Sequence, residues 1–144
     1  MDMTQVNVSI ISPQGIIYQG EGGVISLPST DGGLSILANH IPMIVGLKIG
    51  AVKVSPYLGA PDSEAEFIAI NGGVVEMQDN HCRIMASFAI QAKDIDEARA
   101  ELNKQKAEAE MQEAINHQDT KAFRRARVAL ERAINLINIS RLGR

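Results

Sequence analysis

The sequence predicts an α+β protein: an N-terminal antiparallel β-sandwich over residues 1–87, then a C-terminal antiparallel two-helix hairpin over residues 88–144. Three observations predict it. All five prolines lie at or before Pro61 and eleven of the twelve glycines at or before Gly73, so turn chemistry stops abruptly. Before that break, short apolar runs alternate with turn signals, the pattern of a small all-β domain. After it, apolar residues fall at three- and four-residue spacing over two stretches, the pattern of two helices.

Composition bounds the class. With 144 residues, 45% hydrophobic and 22% charged, the chain can close a core, which excludes disorder. Seventeen acidic residues against fourteen Lys and Arg give a net charge of −3, which argues against a general nucleic-acid binder. The lone cysteine, Cys82, forms no internal disulfide, and no stretch reaches the ~20 apolar residues of a membrane span. Met1-Asp2-Met3-Thr4 offers no basic region followed by an apolar run, so no signal peptide and a reducing compartment are expected.

Val6, Val8 and Ile10 alternate with Asn7 and Ser9 as a first strand. Pro13-Gln14-Gly15 turns the chain into Ile16-Ile17-Tyr18, and Gly22-Gly23 precedes Val24-Ile25-Ser26-Leu27. Leu34 to Ala38 reads as a strand that Asn39-His40 and Pro42 terminate. Asn71-Gly72-Gly73 between Phe67–Ile70 and Val74–Met77 reads as a compact hairpin, because Asn and Gly tolerate positive φ. Asp79-Asn80 turns again before Cys82-Arg83-Ile84-Met85. So apolar a sheet has to stack or close.

Asp94 is the expected cap of the first helix, with Glu97 completing a capping box. Ile95, Ala98, Leu102, Gln105 and Ala109 form its expected inner stripe, and Asn116-His117-Gln118-Asp119 ends it. Phe123, Ala126, Leu130, Ala133 and Ile137 form the second stripe, continued by Ile139 and Leu142. A break of four residues makes an antiparallel pair the default. Asp94 to Asp119 carries net −5 and Lys121 to Arg144 net +6, so opposite charges are expected to face each other. Ten alanines between Ala92 and Ala133 bring the helices close while burying little area, which predicts a weakly held, detachable arm.

Catalytic chemistry is hard to find. His40, His81 and His117 have no second ligand at metal spacing. Gly-Gly pairs at 22, 32 and 72 open no helix and precede no Lys-Ser or Lys-Thr, so no phosphate loop is read. There is no Gly-x-Ser-x-Gly elbow and no acid/base pair of carboxylates. Asp96 and Arg99, three apart, share a helix face.

Five segments in this order resemble the epsilon subunit of bacterial F-type, proton-translocating ATP synthase: Val8 to Gly15, Leu34 to Met43, Asn71 to Met77, Ile95 to Ala100, and Arg125-Ala126 through Ile139. The Ile95-Asp96-Glu97-Ala98-Arg99-Ala100 run matches an Ile/Leu-Asp-x-x-Arg-Ala element. The resemblance implies a sandwich of about ten short strands and a non-catalytic central-stalk subunit. Such a subunit contacts gamma and the c-subunit ring, turns with them, and inhibits ATP hydrolysis when its hairpin extends toward the alpha/beta head. It implies a peripheral place on the cytoplasmic face of the bacterial plasma membrane.

His40 matches the family's loop histidine near gamma, and the basic Arg124-Arg125 stretch falls where the head is met. Gly33 stands where the family has the ring-contacting Glu, which moves that expectation to Asp31. Some members bind ATP as a regulatory ligand, and Ile95, Asp96, Arg99, Ala100 and Arg132 match that pattern; Ile90 and Leu136 replace a family Glu and Arg. The competing reading is a free nucleotide-sensing module whose hairpin closes over ATP.

Overall fold

The computed structural model describes residues 5–143, so the first four residues and Arg144 lie outside the described residues. Eight strands precede two helices: β1 (Val6–Ser12), β2 (Gly15–Gly22), β3 (Val24–Ser29), β4 (Gly32–Leu37), β5 (Met43–Ser55), β6 (Glu66–Gln78), β7 (His81–Ala86), β8 (Ala89–Gln91), α1 (Glu97–Asn116) and α2 (Thr120–Leu142). The strands hydrogen-bond in the order β2-β1-β7-β6-β5-β3-β4, with β8 also on β6.

All eight strands feed one core, so this sheet folds over on itself. The fold-over happens within β5 and β6. In β6, Ile68 and Ile70 face the core, yet further along it is Val75 and Met77 that do. In β5, Leu47 points inward and then Val52 and Val54. Side chains alternate strictly along a strand, so each change of parity marks an absorbed residue and a bend. Each 13-residue strand therefore serves two layers in turn. One layer is β2-β1-β7 with the second half of β6 and the first half of β5; the other is β4-β3 with the remaining halves and β8. Counting halves gives the ten short strands that the resemblance implies.

The same bend corrects the expected hairpin at Asn71-Gly72-Gly73, where β6 runs straight through. Gly72 and Gly73 have φ of +96° and +153°, and a Cβ on Gly73 would lie 2.2 Å from the Met85 carbonyl oxygen. The glycines take up the parity change and let β7 close in. Here β6 also changes partner, from β8 at Ile70 to β7 at Gly73. Asp79-Asn80 is a true two-residue turn, with φ of +52° and +60°. One strand pair departs from the antiparallel pattern: β1 and β7 run parallel, with the intervening strands supplying the crossover.

The helical hairpin differs from expectation at its start. Asp96 caps α1, its Oδ1 accepting from the Arg99 N–H at 3.1 Å. Asp94 instead ends a short 3-10 turn, Ala92–Asp94, that carries Ile95 against the sandwich and delays the helix by two residues. The inner stripe of α1 is also rotated. Ala100, Ala107 and Ala114 are buried, whereas Leu102 is 66% exposed. Those alanines repeat every seven residues, as do Ala126 and Ala133 on α2, which gives two straight seams of small side chains for close packing. The α2 stripe holds: Ala126, Ala133, Ile137 and Ile139 are buried, while Leu142 is exposed. Charge does not pair across as expected. Among the described residues Glu97–Arg141, at 2.7 Å, bridges the helices, and the other helical ion pairs lie within one helix. Alanine seams are narrow, so the long charged side chains project to the outside.

Candidate subunit interface and helix groove

The outer surface of the first layer carries an apolar row. Gly46 of β5 pairs with Val74, Val74 with Met85, Met85 with Ile11 and Ile11 with Ile16. Register partners point to the same side of a sheet, so the side chains of Val74, Met85, Ile11 and Ile16 line up across four strands, with Gly46 ending the row on a fifth. Val74 is 38%, Met85 44% and Ile16 64% exposed. The neighbouring row is Ile44, Glu76, Arg83, Ser9 and Gln19, mostly polar, so the apolar row stands out as a stripe. Sequence reasoning did not single it out. The available signal was Ile11, an isoleucine at an outward position following Asn7 and Ser9.

Asp31 and His40 lie at opposite ends of β4. Six residues separate their turns, or ~20 Å of strand. Asp31 sits in the tight β3–β4 turn, where the Ser29 hydroxyl accepts from the Asp31 N–H at 3.3 Å and donates to the Gly32 carbonyl at 2.5 Å. The neighbouring Thr30 N–H donates to the Gly46 carbonyl at 3.0 Å, which places the Asp31 turn beside one end of the apolar row. At the other end of β4, Asn39 adopts φ +64° and its N–H donates to the Asn80 Oδ1 at 3.0 Å. His40 follows, with Nδ1 2.9 Å from the Ile41 carbonyl oxygen. Ile41 and Ile44 beside it are 74% exposed. The apolar surface thus continues around this end.

The second layer's outer surface is covered instead. Phe67 and Ala69 of β6, with Ala92 and Ile95, form a small cluster against Ile139 of α2, flanked by Ala51, Ile90 and Leu136. Free face and covered face are on opposite sides of the sandwich. The covered face explains where Ile95 goes: its side chain is buried in the seat of the hairpin rather than presented to solvent.

The nucleotide-matched residues divide accordingly. Ala100 is buried against α2, while Asp96 spends an oxygen on the helix cap. Arg132 lines an open groove between the helices, about 290 Å³, with Asn103, Lys106, Glu110 and Leu136 over a floor of alanines. Positions 99, 103, 106 and 110 share one face of α1, so Arg99 lies one turn beyond Asn103 on the groove side. Arg99, Lys106 and Arg132 thus bring three cations to one side of the hairpin. Lys106 was missed because no motif marks it. Nearer the tip, Arg125 lines a larger groove of about 630 Å³ with Glu110, Glu113, His117 and Asp119. Arg124, beside it on α2, is exposed.

Neither grouping resembles a reaction centre. Burial pushes the Cys82 thiol up to about 12, and burial together with the Glu66 carboxylate raises Tyr18 to about 12; both shifts disfavour the nucleophilic anion. Among the described residues no group of three His, Cys, Asp or Glu side chains could hold a metal ion, and no helix is long and apolar enough to cross a membrane.

Comparison with known proteins matches both units. Residues 5–92 fit the family model of the ATP synthase delta/epsilon chain β-sandwich domain, and residues 93–141 that of its long α-helix domain. Among solved structures, a chain of the Euglena gracilis mitochondrial ATP synthase, seen in an assembly of OSCP, F1 and c-ring, superposes with a TM-score of 0.74 at 21% identity. That match covers 92% of this chain and 79% of the other. A chain of the Tetrahymena thermophila mitochondrial ATP synthase central stalk and c-ring matches at 19% identity with a TM-score of 0.47, over 62% of this chain and 68% of the other. With two consecutive family models spanning nearly all of its length, the chain belongs to the ATP synthase delta/epsilon family.

Proposed function

We propose that this chain is a non-catalytic rotor subunit of the central stalk of a proton-driven ATP synthase, one that couples rotation to ATP synthesis and restrains ATP hydrolysis through its hairpin. The observation that carries the reading is the apolar row from Val74 to Ile16, exposed on the face opposite the hairpin. Exposed apolar stripes of this kind mark interaction sites. In this reading the gamma subunit covers the row and the His40 end, while the Asp31 turn reaches the c-subunit ring. Attachment to the membrane is then peripheral, through the ring, on the cytoplasmic side of a bacterial plasma membrane. The hairpin stays free to leave its seat, and its exposed Arg124 and Arg125 would meet acidic surfaces of the alpha/beta head.

The test is co-purification with gamma. A Val74→Glu/Met85→Lys double variant, whose opposite charges face each other across the strand pair, should keep a near-wild-type urea midpoint and lose gamma. A variant that still co-purifies at wild-type yield contradicts the assignment.

A second reading concerns ATP as a regulatory ligand, and the three cations beside the groove favour it. Arg99 and Arg132, with Lys106, would hold phosphate oxygens, and Ile95, Asp96 and Ala100 would shape the helix start around them. Were ATP binding the whole function, the chain would act as a free nucleotide-sensing module. Equilibrium dialysis decides: saturable ATP binding that Arg132→Ala abolishes supports the site, and no binding at millimolar ATP removes it.

A further inference from the structure

The hairpin rests on the sandwich through α2, whose Leu136 and Ile139 supply the helical side of the seat. Against them stand Phe67, Ile90 and Ile95 among the small side chains of Ala51, Ala65, Ala69 and Ala92, so the seat is a small apolar cluster. Apolar contact is not directional, so a cluster this small leaves the exact placement of the helix to polar contacts. One of these is specific: the Asn135 side-chain amide of α2 donates to the Gly50 carbonyl of β5 at 3.0 Å.

Gly50 is no ordinary strand position. The β3–β5 ladder is interrupted between the Ser26–Lys53 and Ser29–Leu47 pairs, and Gly50 lies within the interruption. Opposite stands Pro28, which has no N–H to give the ladder. A Cβ on residue 50 would lie 2.6 Å from the Pro28 Cβ, so only glycine lets the proline settle there. The same stretch carries the parity change that bends β5 from one layer to the other. Irregularity thus makes this carbonyl a distinct address on the sheet, and Asn135 is the α2 side chain that meets it.

We propose that Asn135 is the positioning residue that sets the register of the hairpin on the sandwich and holds it closed. The amide is satisfied by Gly50 only when α2 is seated. When the arm lifts, amide and carbonyl both return to water, so the clasp biases the seated state without making it permanent. What a lifted arm does in the complex rests on the stalk reading, but the clasp itself is a property of the isolated chain.

Hydrogen exchange of the isolated protein tests it. Asn135→Asp keeps the side-chain shape and replaces the donor with an acceptor facing a carbonyl oxygen. Asn138→Asp, at an exposed position of the same helix, controls for the added charge. Asn135→Asp should speed exchange about tenfold at the α2 amides, leave those of β1 and β7 unchanged, and exceed the Asn138→Asp effect, itself within about twofold. Unchanged α2 exchange in Asn135→Asp, equal acceleration by both variants, or acceleration that extends to β1 and β7 would each overturn the proposal. Because no partner is present, failure here leaves the gamma assignment standing, and loss of that assignment leaves the clasp standing.

Discussion

At the scale of single residues, the strongest constraints come from close backbone approach and from burial. Gly73→Ala sets a Cβ against the Met85 carbonyl, at a φ that L side chains rarely adopt, and should cost at least about 2 kcal/mol by urea unfolding. A wild-type midpoint in that variant would show that β7 can yield. Tyr18 and Cys82 make a pH prediction. Both are raised in the folded chain, to about 12, from ordinary values of 10.0 and 9.0. The folded state therefore favours the neutral forms, and their contribution is full below pH 9 and lost as pH rises toward 12. Urea midpoints of the wild type should fall more steeply between pH 9 and 11 than those of a Tyr18→Phe/Cys82→Ala variant; parallel curves contradict it. The sequence announced such residues unevenly. Asp79-Asn80 declared its turn, whereas Gly72-Gly73 looked like one and is a bend, because glycine serves a tight turn and a close approach equally well.

At the scale of elements, the hairpin shows what periodicity conveys and what it omits. The α2 stripe was legible because two of its large residues, Ile137 and Ile139, are buried. The α1 stripe misled because its large residue, Leu102, faces solvent while alanines fill the seam. Size is a poor guide where closeness is what the packing selects. The strands behaved similarly: β5 and β6 change parity midway, so neither displays one alternation along its length. Helix caps are more local and testable. The Asp119 carboxylate accepts from the Ala122 N–H at 3.0 Å, and Asp119→Ala should cost about 1 kcal/mol, read as earlier melting of hairpin amides in hydrogen exchange. If those amides keep their protection, the cap contributes nothing and the seam alone sets the helix start.

At the scale of the whole molecule, the architecture separates two tasks. A sandwich with two outer faces gives one to the hairpin and leaves the other, with its apolar row, open. The family was legible in the sequence from ordered local motifs, most of them short and set by turn or cap chemistry and one a helical stretch, Arg125 through Ile139. The free face was not, since it arises only when register aligns Ile16 and Ile11 of the first hairpin with Met85 and Val74 of a second hairpin far along the chain. In the proposed stalk reading, a partner occupies this face without displacing the arm. Hydrogen exchange of the chain with and without purified gamma subunit tests it most directly. Protection confined to β1, β7 and the second half of β6, with α2 exchanging as in the free chain, is the predicted result; protection of Ala51, Phe67 and Ala69 with release of α2 would contradict it.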